Sequence, residues 1–478
     1  MNILTDIQNV FLPELILIIT ILINIIVSLF LNTNTYKLAK IITLSALFIC
    51  VGFLYLNKSE TSYYTFNDMF ISNIFTSIFK TITIISGSLI ILCSKNLIRE
   101  KRNKSFEYFV IFLTGILGAF CLISASDFLS AFIAIELLGI SCYFLSGYRK
   151  NHKSKEAALK YLITGASAST ILLLGISYLY GISGSTNFAI ISNSFIQNGI
   201  NLFYIGACLL ILFGSLFKLG CIPFSNWVID VYEGSNYPTC LYLSLIPKIA
   251  AIAFLARLFV YIFSFSPIIL ILTAILSLIT IVYASIGAIK QSNIKRLYAY
   301  SSIIHSGFLL LAISNLTVYS IATVIFYLIT YIFMNAGIWC ASIIYSTDFQ
   351  TDNIEDYKGL FKKHPYFTIA LSICLIGLAG LPPSSGFLAK IFLFSAIARG
   401  NFIWLTILLF TMLTTIIAMF AYFKVIRELF AKKTNNITLN KQNLFAKIML
   451  YICAFITIII CITPDLFIKI SQIASYYI

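Results

Sequence analysis

Seven charged side chains stand inside long apolar runs: Lys80, Glu136, Lys160, Lys218, Lys248, Arg257 and Lys390. A charge at mid-bilayer costs about 3 kcal/mol even on lenient scales, so such a group faces a polar interior and has a task. Three of the lysines adjoin prolines. Lys218 precedes Pro223 in GSLFKLGCIPFSNW, and Lys248 directly follows Pro247 in LSLIPKIAA. Lys390 follows Pro382, Pro383 and Gly386 in GLAGLPPSSGFLAKIFLF. Proline removes a backbone donor and clashes with the preceding turn, which predicts kinks or interruptions at these places. Irregular backbone at membrane depth persists only against protein or a wet cavity, and a lysine beside it is a transport-site candidate.

The chemistry such residues can do is proton exchange. Desolvation weakens a lysine's hold on its proton and a nearby carboxylate strengthens it, so a buried lysine exchanges protons when its acidic partner moves. Glu136, in SAFIAIELLGISCYF, reads as the one acid deep in an apolar run. His305, in YSSIIHSGFLL, is either a relay between lysines or a hydrogen-bonded interior residue. Lys80 and Arg257 read as snorkelling to the interface. His152 and His364 sit in basic connections and read as solvated.

The elements that position these residues follow from the apolar runs. They lie near 11–31, 37–56, 71–93, 106–125, 128–147, 157–180, 202–220, 240–261, 267–287, 297–313, 318–345, 367–396, 402–423 and 447–468. Each is long enough to span a hydrocarbon core of about 30 Å, and an open chain crosses a bilayer only as helix. The fold class is thus all-α, a polytopic membrane protein of about fourteen transmembrane helices. Of 478 residues, 60% are hydrophobic and 10% charged, and the mean hydropathy is +0.97. No soluble domain needs that much apolar surface.

The net charge of +15 suggests nucleic acid in a soluble protein, but here its placement has another meaning. With the N-terminus outside, the connections facing the cytoplasm carry 23 Lys and Arg, and the outer ones only Lys58, Arg399 and Lys469. That bias is the positive-inside rule and puts both termini on the outer side. Met1 to Gln8 lacks Lys and Arg, which favours a first membrane helix over a cleaved signal peptide. The eleven cysteines form no CxxC pair and stand beside only three histidines. They read as small core hydrophobes, with no cluster, haem or disulfide framework implied.

The seventh and twelfth runs each combine a lysine with a proline break, five helices apart. An odd number of crossings inverts orientation, so runs four to eight and nine to thirteen read as inverted five-helix repeats, an arrangement found in transporters. This divides the chain into a three-helix segment (1–105), two repeats (106–261 and 262–425) and a C-terminal loop and helix (426–478).

Four segments then carry a resemblance: KEAALKYLITGA (155–166), FKLGCIPFSNWVIDVYEG (217–234), AIKQSNIKRLYAYSSIIHSGF (288–308) and GLAGLPPSSGFLAKIFLF (377–394). They resemble the antiporter-like membrane subunits of bacterial NADH:quinone oxidoreductase, respiratory complex I, over about residues 105–425. Within that family, DVYEG and Lys390 match the branch without a long lateral helix and with lysine, not an acid, at the distal position. The resemblance implies Glu136 and Lys218 as an ion pair, Lys248 as central relay, Lys390 as distal gate, and Lys160 and His305 at matching positions. It implies a proton translocase with no cofactor of its own. NADH, FMN, iron–sulfur clusters and quinone belong to partner subunits of the complex, in a bacterial inner membrane, with no nucleic acid. One position departs: the family often has His after the PF of the seventh helix, where Ser225 stands here. The competing readings are a subunit of a multicomponent Na+/H+ antiporter, which DVYEG disfavours, and a membrane scaffold that conducts nothing itself.

Overall fold

The computed structural model describes residues 11–30, 35–56, 62–94, 105–149, 151–199, 201–349, 351–432 and 444–478. Among them, 13 helices are long and apolar enough to cross a membrane. These are α1 (Leu12–Phe30), α2 (Thr35–Leu56), α3 (Ile74–Cys93), α4 (Ser105–Ser124), α5 (Phe128–Ser146), α6 (His152–Ser183) and α8 (Leu202–Leu219). The rest are α10 (Tyr237–Tyr261), α11 (Pro267–Ile289), α12 (Ile294–Ser314), α13 (Val318–Phe349), α17 (Phe402–Leu429) and α18 (Leu444–Ile462). Two shorter apolar helices, α15 (Pro365–Ala379) and α16 (Ser385–Ile397), stand in the twelfth apolar run. Short helices α7 (Phe188–Asn198), α9 (Asn226–Gly234), α14 (Leu360–Lys363) and α19 (Pro464–Ser475) complete the set. One antiparallel hairpin, Tyr63–Thr65 with Phe70–Ser72, precedes α3. The protein is an all-α polytopic membrane protein.

Local sequence explains the ends. Asn73 and Thr76 form a reciprocal capping box at α3, and the side chains of Asp127, Asn201, Asn293 and Ser384 cap α5, α8, α12 and α16. Each satisfies backbone N–H groups that hydrocarbon would leave bare. Two breaks rest on glycine. Gly220 ends α8 at φ 71° and Gly380 ends α15 at φ 78°, a conformation that L side chains rarely adopt. A Cβ on Gly220 would lie 2.4 Å from Val228 Cγ2, and one on Gly380 2.5 Å from Lys390 Cδ.

The order of elements recurs along the chain. In residues 106–261 the third crossing is the 32-residue α6 and the fourth is broken at Gly220. In 262–425 the third is the 32-residue α13 and the fourth is broken at Gly380. Helices α10 and α12 are almost wholly buried, while α1, α2, α6, α17 and α18 expose large apolar side chains such as Leu29, Phe48, Ile163, Phe410 and Phe455. Those faces suit a lipid or subunit contact.

Three expectations change. The helix with Pro247 is not interrupted: α10 runs unbroken from Tyr237 to Tyr261, held on all sides by neighbouring helices, which is how bilayer helices tolerate proline. The last run divides at Thr463, and Pro464 starts α19 as a separate helix. A short helix, α7, follows α6, which is longer than its apolar run. The N-terminal residues 1–10 and the basic residues Lys58, Lys95, Arg99, Lys101, Arg102, Lys104, Lys150, Lys433 and Lys441 lie outside the described residues.

Candidate functional site

The breaks and the two buried helices bring four titratable side chains into one file. Lys218 leaves the last turn of α8, where a cation suits the carbonyl end of a helix. Its ammonium is buried, lies 5.7 Å from the ring of Tyr143 and 5.6 Å from that of Phe217, and has no hydrogen-bond partner among the described residues. It sits against Gly139 of α5, where a Cβ would come within 2.7 Å of Nζ. Glu136 is one turn earlier on α5, and its carboxylate accepts a hydrogen bond from Ser169 of α6. The ion pair implied for Glu136 and Lys218 is therefore open here: the acid turns to α6 and the lysine to Gly139.

Lys248 follows Pro247 in the middle of α10 and donates to Ser302 O (2.6 Å), Ser302 Oγ and Ser306 Oγ (2.7 Å). Ser302 and Ser306 are one turn apart on α12, and Ser306 Oγ also donates to Ser302 O at 2.9 Å. Tyr232 of α9 reaches the same Ser302 Oγ at 3.2 Å, which ties the element beyond the Gly220 break to the seat of Lys248. His305 lies between the serines. Its Nδ1 is 2.7 Å from Tyr327 OH and its Nε2 3.4 Å from Tyr422 OH, which in turn meets Ser301 Oγ at 2.6 Å. Phe308, about 5 Å further along α12, faces the ammonium of Lys390 at 5.3 Å. Lys390 Nζ donates to Ala379 O (2.7 Å) and Leu378 O (3.3 Å), the last carbonyls of α15. Oxygen acceptors of this kind stabilise an ammonium charge in a low-dielectric interior.

The remaining expected residues fall into place around this file. Pro223 lies in the turn after Gly220, Pro382 and Pro383 in the link after Gly380. Gly386 lets α16 cross α15 closely, since a Cβ there would stand 1.9 Å from Gly377 O. Ser225 is buried at the start of α9 and makes no side-chain cap. Lys160 stands apart from the file. It is half exposed on α6 and pairs with Glu156 and Asp230, both at 3.0 Å.

Two residues expected to snorkel do not. Lys80 is 1% exposed and pairs at 2.7 Å with Glu14, itself fully buried in the first turn of α1. Arg257 is buried and donates to Ala125 O at 2.7 Å. Glu136 is only part-buried, and among the described residues the buried acids are Glu14 and Asp127. Glu14 escaped the sequence reading because an acid in a first turn looks like an ordinary helix-dipole partner. Ser302 and Ser306 carry a sequence signal of their own: two hydroxyls at i, i+4 beside a histidine.

Residues 125–418 match the family described as NADH:quinone oxidoreductase/Mrp antiporter, transmembrane. Subunit N of the NADH-quinone oxidoreductase of Bacillus anthracis is 33% identical over 477 residues, 95% of this chain and 92% of that one. The chain belongs to this family. Subunit 2 of the NAD(P)H-quinone oxidoreductase of Synechococcus sp. (strain JA-3-3Ab) is 35% identical over 438 residues, 90% of this chain and 82% of that one. A chain of respiratory complex I from Thermus thermophilus superposes with a TM-score of 0.79 at 24% identity, covering 96% of this chain and 98% of that one. A chain of the Mrp complex from Dietzia sp. does so with 0.86 at 17%, covering 99% and 97%. These two likenesses establish the fold. Glu136, Lys218, Lys248, His305 and Lys390 lie inside the family match, and Glu14 and Lys80 outside it.

Proposed function

We propose that this chain is the proton-translocating subunit of an NADH:quinone oxidoreductase, a translocase part with no redox centre of its own. The observation that carries the reading is the buried file from Lys218 through Lys248 and His305 to Lys390, on helices enclosed by protein. Redox chemistry in partner membrane subunits moves the Glu136 carboxylate between Ser169 and Lys218. Beside the carboxylate Lys218 keeps its proton, and away from it Lys218 releases the proton. The proton passes to the Lys248 seat of Ser302 and Ser306, then by His305 to Lys390. Glu136, Lys218, Lys248, His305 and Lys390 are the working residues, and Lys160 serves at the surface with Asp230. The prolines and glycines of the two breaks free the carbonyls that Lys390 uses and seat Lys218 at a helix end. Segments 106–261 and 262–425 are the two inverted repeats.

The setting follows from the same reading. The chain sits in a bacterial inner membrane among other subunits of the complex, both termini outward, with the basic connections inside. NADH, FMN, iron–sulfur clusters and quinone are handled by those partners. The second reading, a multicomponent Na+/H+ antiporter subunit, has the shared family description and the Mrp likeness in its favour. The names of the relatives at 33–35% identity favour the first. In vesicles, proton uptake that depends on NADH supports the first reading, and Na+/H+ exchange without NADH supports the second.

A further inference from the structure

Among the described residues, Lys218, Lys248, Lys390 and Arg257 are buried cations that make no ion pair, unlike Lys80 and Lys295. A lysine in that position sheds its charge by releasing a proton, but a guanidinium keeps its proton in a protein. Arg257, 2% exposed, therefore carries a full positive charge inside, and such a charge is costly unless an anion meets it. Its Nη1 donates to Ala125 O at 2.7 Å, and the guanidinium lies 5.6 Å from the ring of Phe75 on α3. Neither partner is an anion. Its Nη2 is buried and has no hydrogen-bond partner among the described residues.

Arg257 lines a small cavity of about 20 Å³ together with Tyr64, Ser126, Asn187 and Tyr261. The cavity lies where four elements meet: the hairpin before α3, the link between α4 and α5, the start of α7 and the last turns of α10. Its walls are fastened to each other. Ser126 Oγ and Asn187 Nδ2 both donate to Asp68 O, at 2.6 and 3.3 Å, which ties the hairpin turn to the link and to α7. Ser126 and Asn187 are thus engaged, and the hydroxyls of Tyr261 and Tyr64 are the groups that face the guanidinium. The acids of this corner are not its partners. Asp127 accepts from the Leu129 N–H and the Thr186 hydroxyl, and Asp68 is exposed in the hairpin turn.

We propose that this cavity is a halide site, filled by chloride and held by Arg257 Nη2 and the tyrosine hydroxyls. A volume of about 20 Å³ is room for one water-sized body. Chloride is close to that size, whereas phosphate, sulfate or a carboxylate brings at least three heavy atoms. Water fits as well but brings no charge to meet the guanidinium. The halide neutralises a buried cation that cannot discharge, and it clamps the hairpin onto α10. The hairpin lies outside the family match and Arg257 inside it, so the site fastens the N-terminal segment to the family's common part. It does so whichever ion the file of lysines carries.

The test is hydrogen exchange on the assembled complex in detergent, in sodium chloride, bromide or gluconate at equal ionic strength. Gluconate is too large for the cavity. Opening of the hairpin empties the site, so a bound halide slows exchange of the amides of 63–72 by a factor of one plus the ratio of halide to Kd. At ten times Kd that is about elevenfold. The expected result is a saturable slowing in chloride and bromide at 63–72 and 186–190, with no change in α12. Arg257→Gln abolishes the halide effect. The double variant Tyr64→Phe with Tyr261→Phe keeps both rings, removes both hydroxyls and raises the half-effect concentration about tenfold or more. Equal exchange in the three salts overturns the site and leaves the cavity to water. A slowing that never saturates, or that persists in Arg257→Gln, is a general salt effect and also overturns it. Should Arg257→Gln fail to assemble, an unchanged half-effect concentration in the tyrosine double variant overturns it instead.

Discussion

Replacing Lys248 with methionine is the perturbation whose size the structure fixes best. The ammonium is held by three hydrogen bonds, to Ser302 O, Ser302 Oγ and Ser306 Oγ. Bonds to a charged group contribute roughly 1.5–3 kcal/mol each, so on the order of 5 kcal/mol of stabilisation for a proton at this station is lost. At about 1.4 kcal/mol per factor of ten, transfer through the position slows by about a thousandfold or more. Structural damage is small by comparison. Methionine nearly conserves the volume, and such swaps cost less than about 1.5 kcal/mol. The two serines keep their mutual bond, and Ser302 keeps Tyr232. The assay is proton uptake per NADH oxidised in vesicles, with assembled complex counted on native gels. The prediction is normal assembly, uptake below detection, and NADH oxidation reduced because it is coupled to pumping. Unchanged uptake per NADH with intact complex would refute the reasoning, since a bypass of Lys248 has no place in it.

Other expectations follow from the same contacts. Glu14→Gln strands the buried Lys80 and destabilises the seating of α1 by about 3–5 kcal/mol. Less assembled complex and faster proteolysis of the N-terminal helices would register this, and the double variant Glu14→Lys with Lys80→Glu restores both. Gly386→Ala drives a Cβ into Gly377 O and abolishes assembly on native gels, whereas Gly206→Ala, with nothing within 4 Å of the new Cβ, leaves it unchanged. Lys390→Met removes the donor to the last carbonyls of α15, so pumping is lost and hydrogen exchange rises around residues 376–380. Lys160→Met, which breaks pairs on an exposed face, changes proton uptake per NADH less than about twofold.

The crossings were legible because each must bury about 20 apolar residues in lipid, and the two breaks because glycine and proline next to a lysine have few other meanings in a bilayer. Sequence could not show that α10 passes through Pro247 without interruption, since that depends on helices packed around it. Nor could it give partners. Lys218 and Glu136 are visible as charges in apolar runs, but that one faces Gly139 and the other Ser169 is a matter of rotamers and tertiary contact. Lys80 and Arg257 lie in apolar stretches like Lys248, yet one is held by an acid 66 positions earlier and the other by a carbonyl in the link between α4 and α5. A helix sequence tells which residues share a face, and it is silent on what that face meets.

Proton carriage through Lys218, driven by NADH oxidation, stands or falls on one variant. The most direct test is NADH-driven proton uptake in vesicles containing Lys218→Ala, with NADH:quinone turnover and assembled complex measured in the same preparation. The account predicts intact assembly with both pumping and turnover depressed. Intact pumping and NADH oxidation with loss of Na+/H+ exchange would contradict it and make the chain an antiporter subunit.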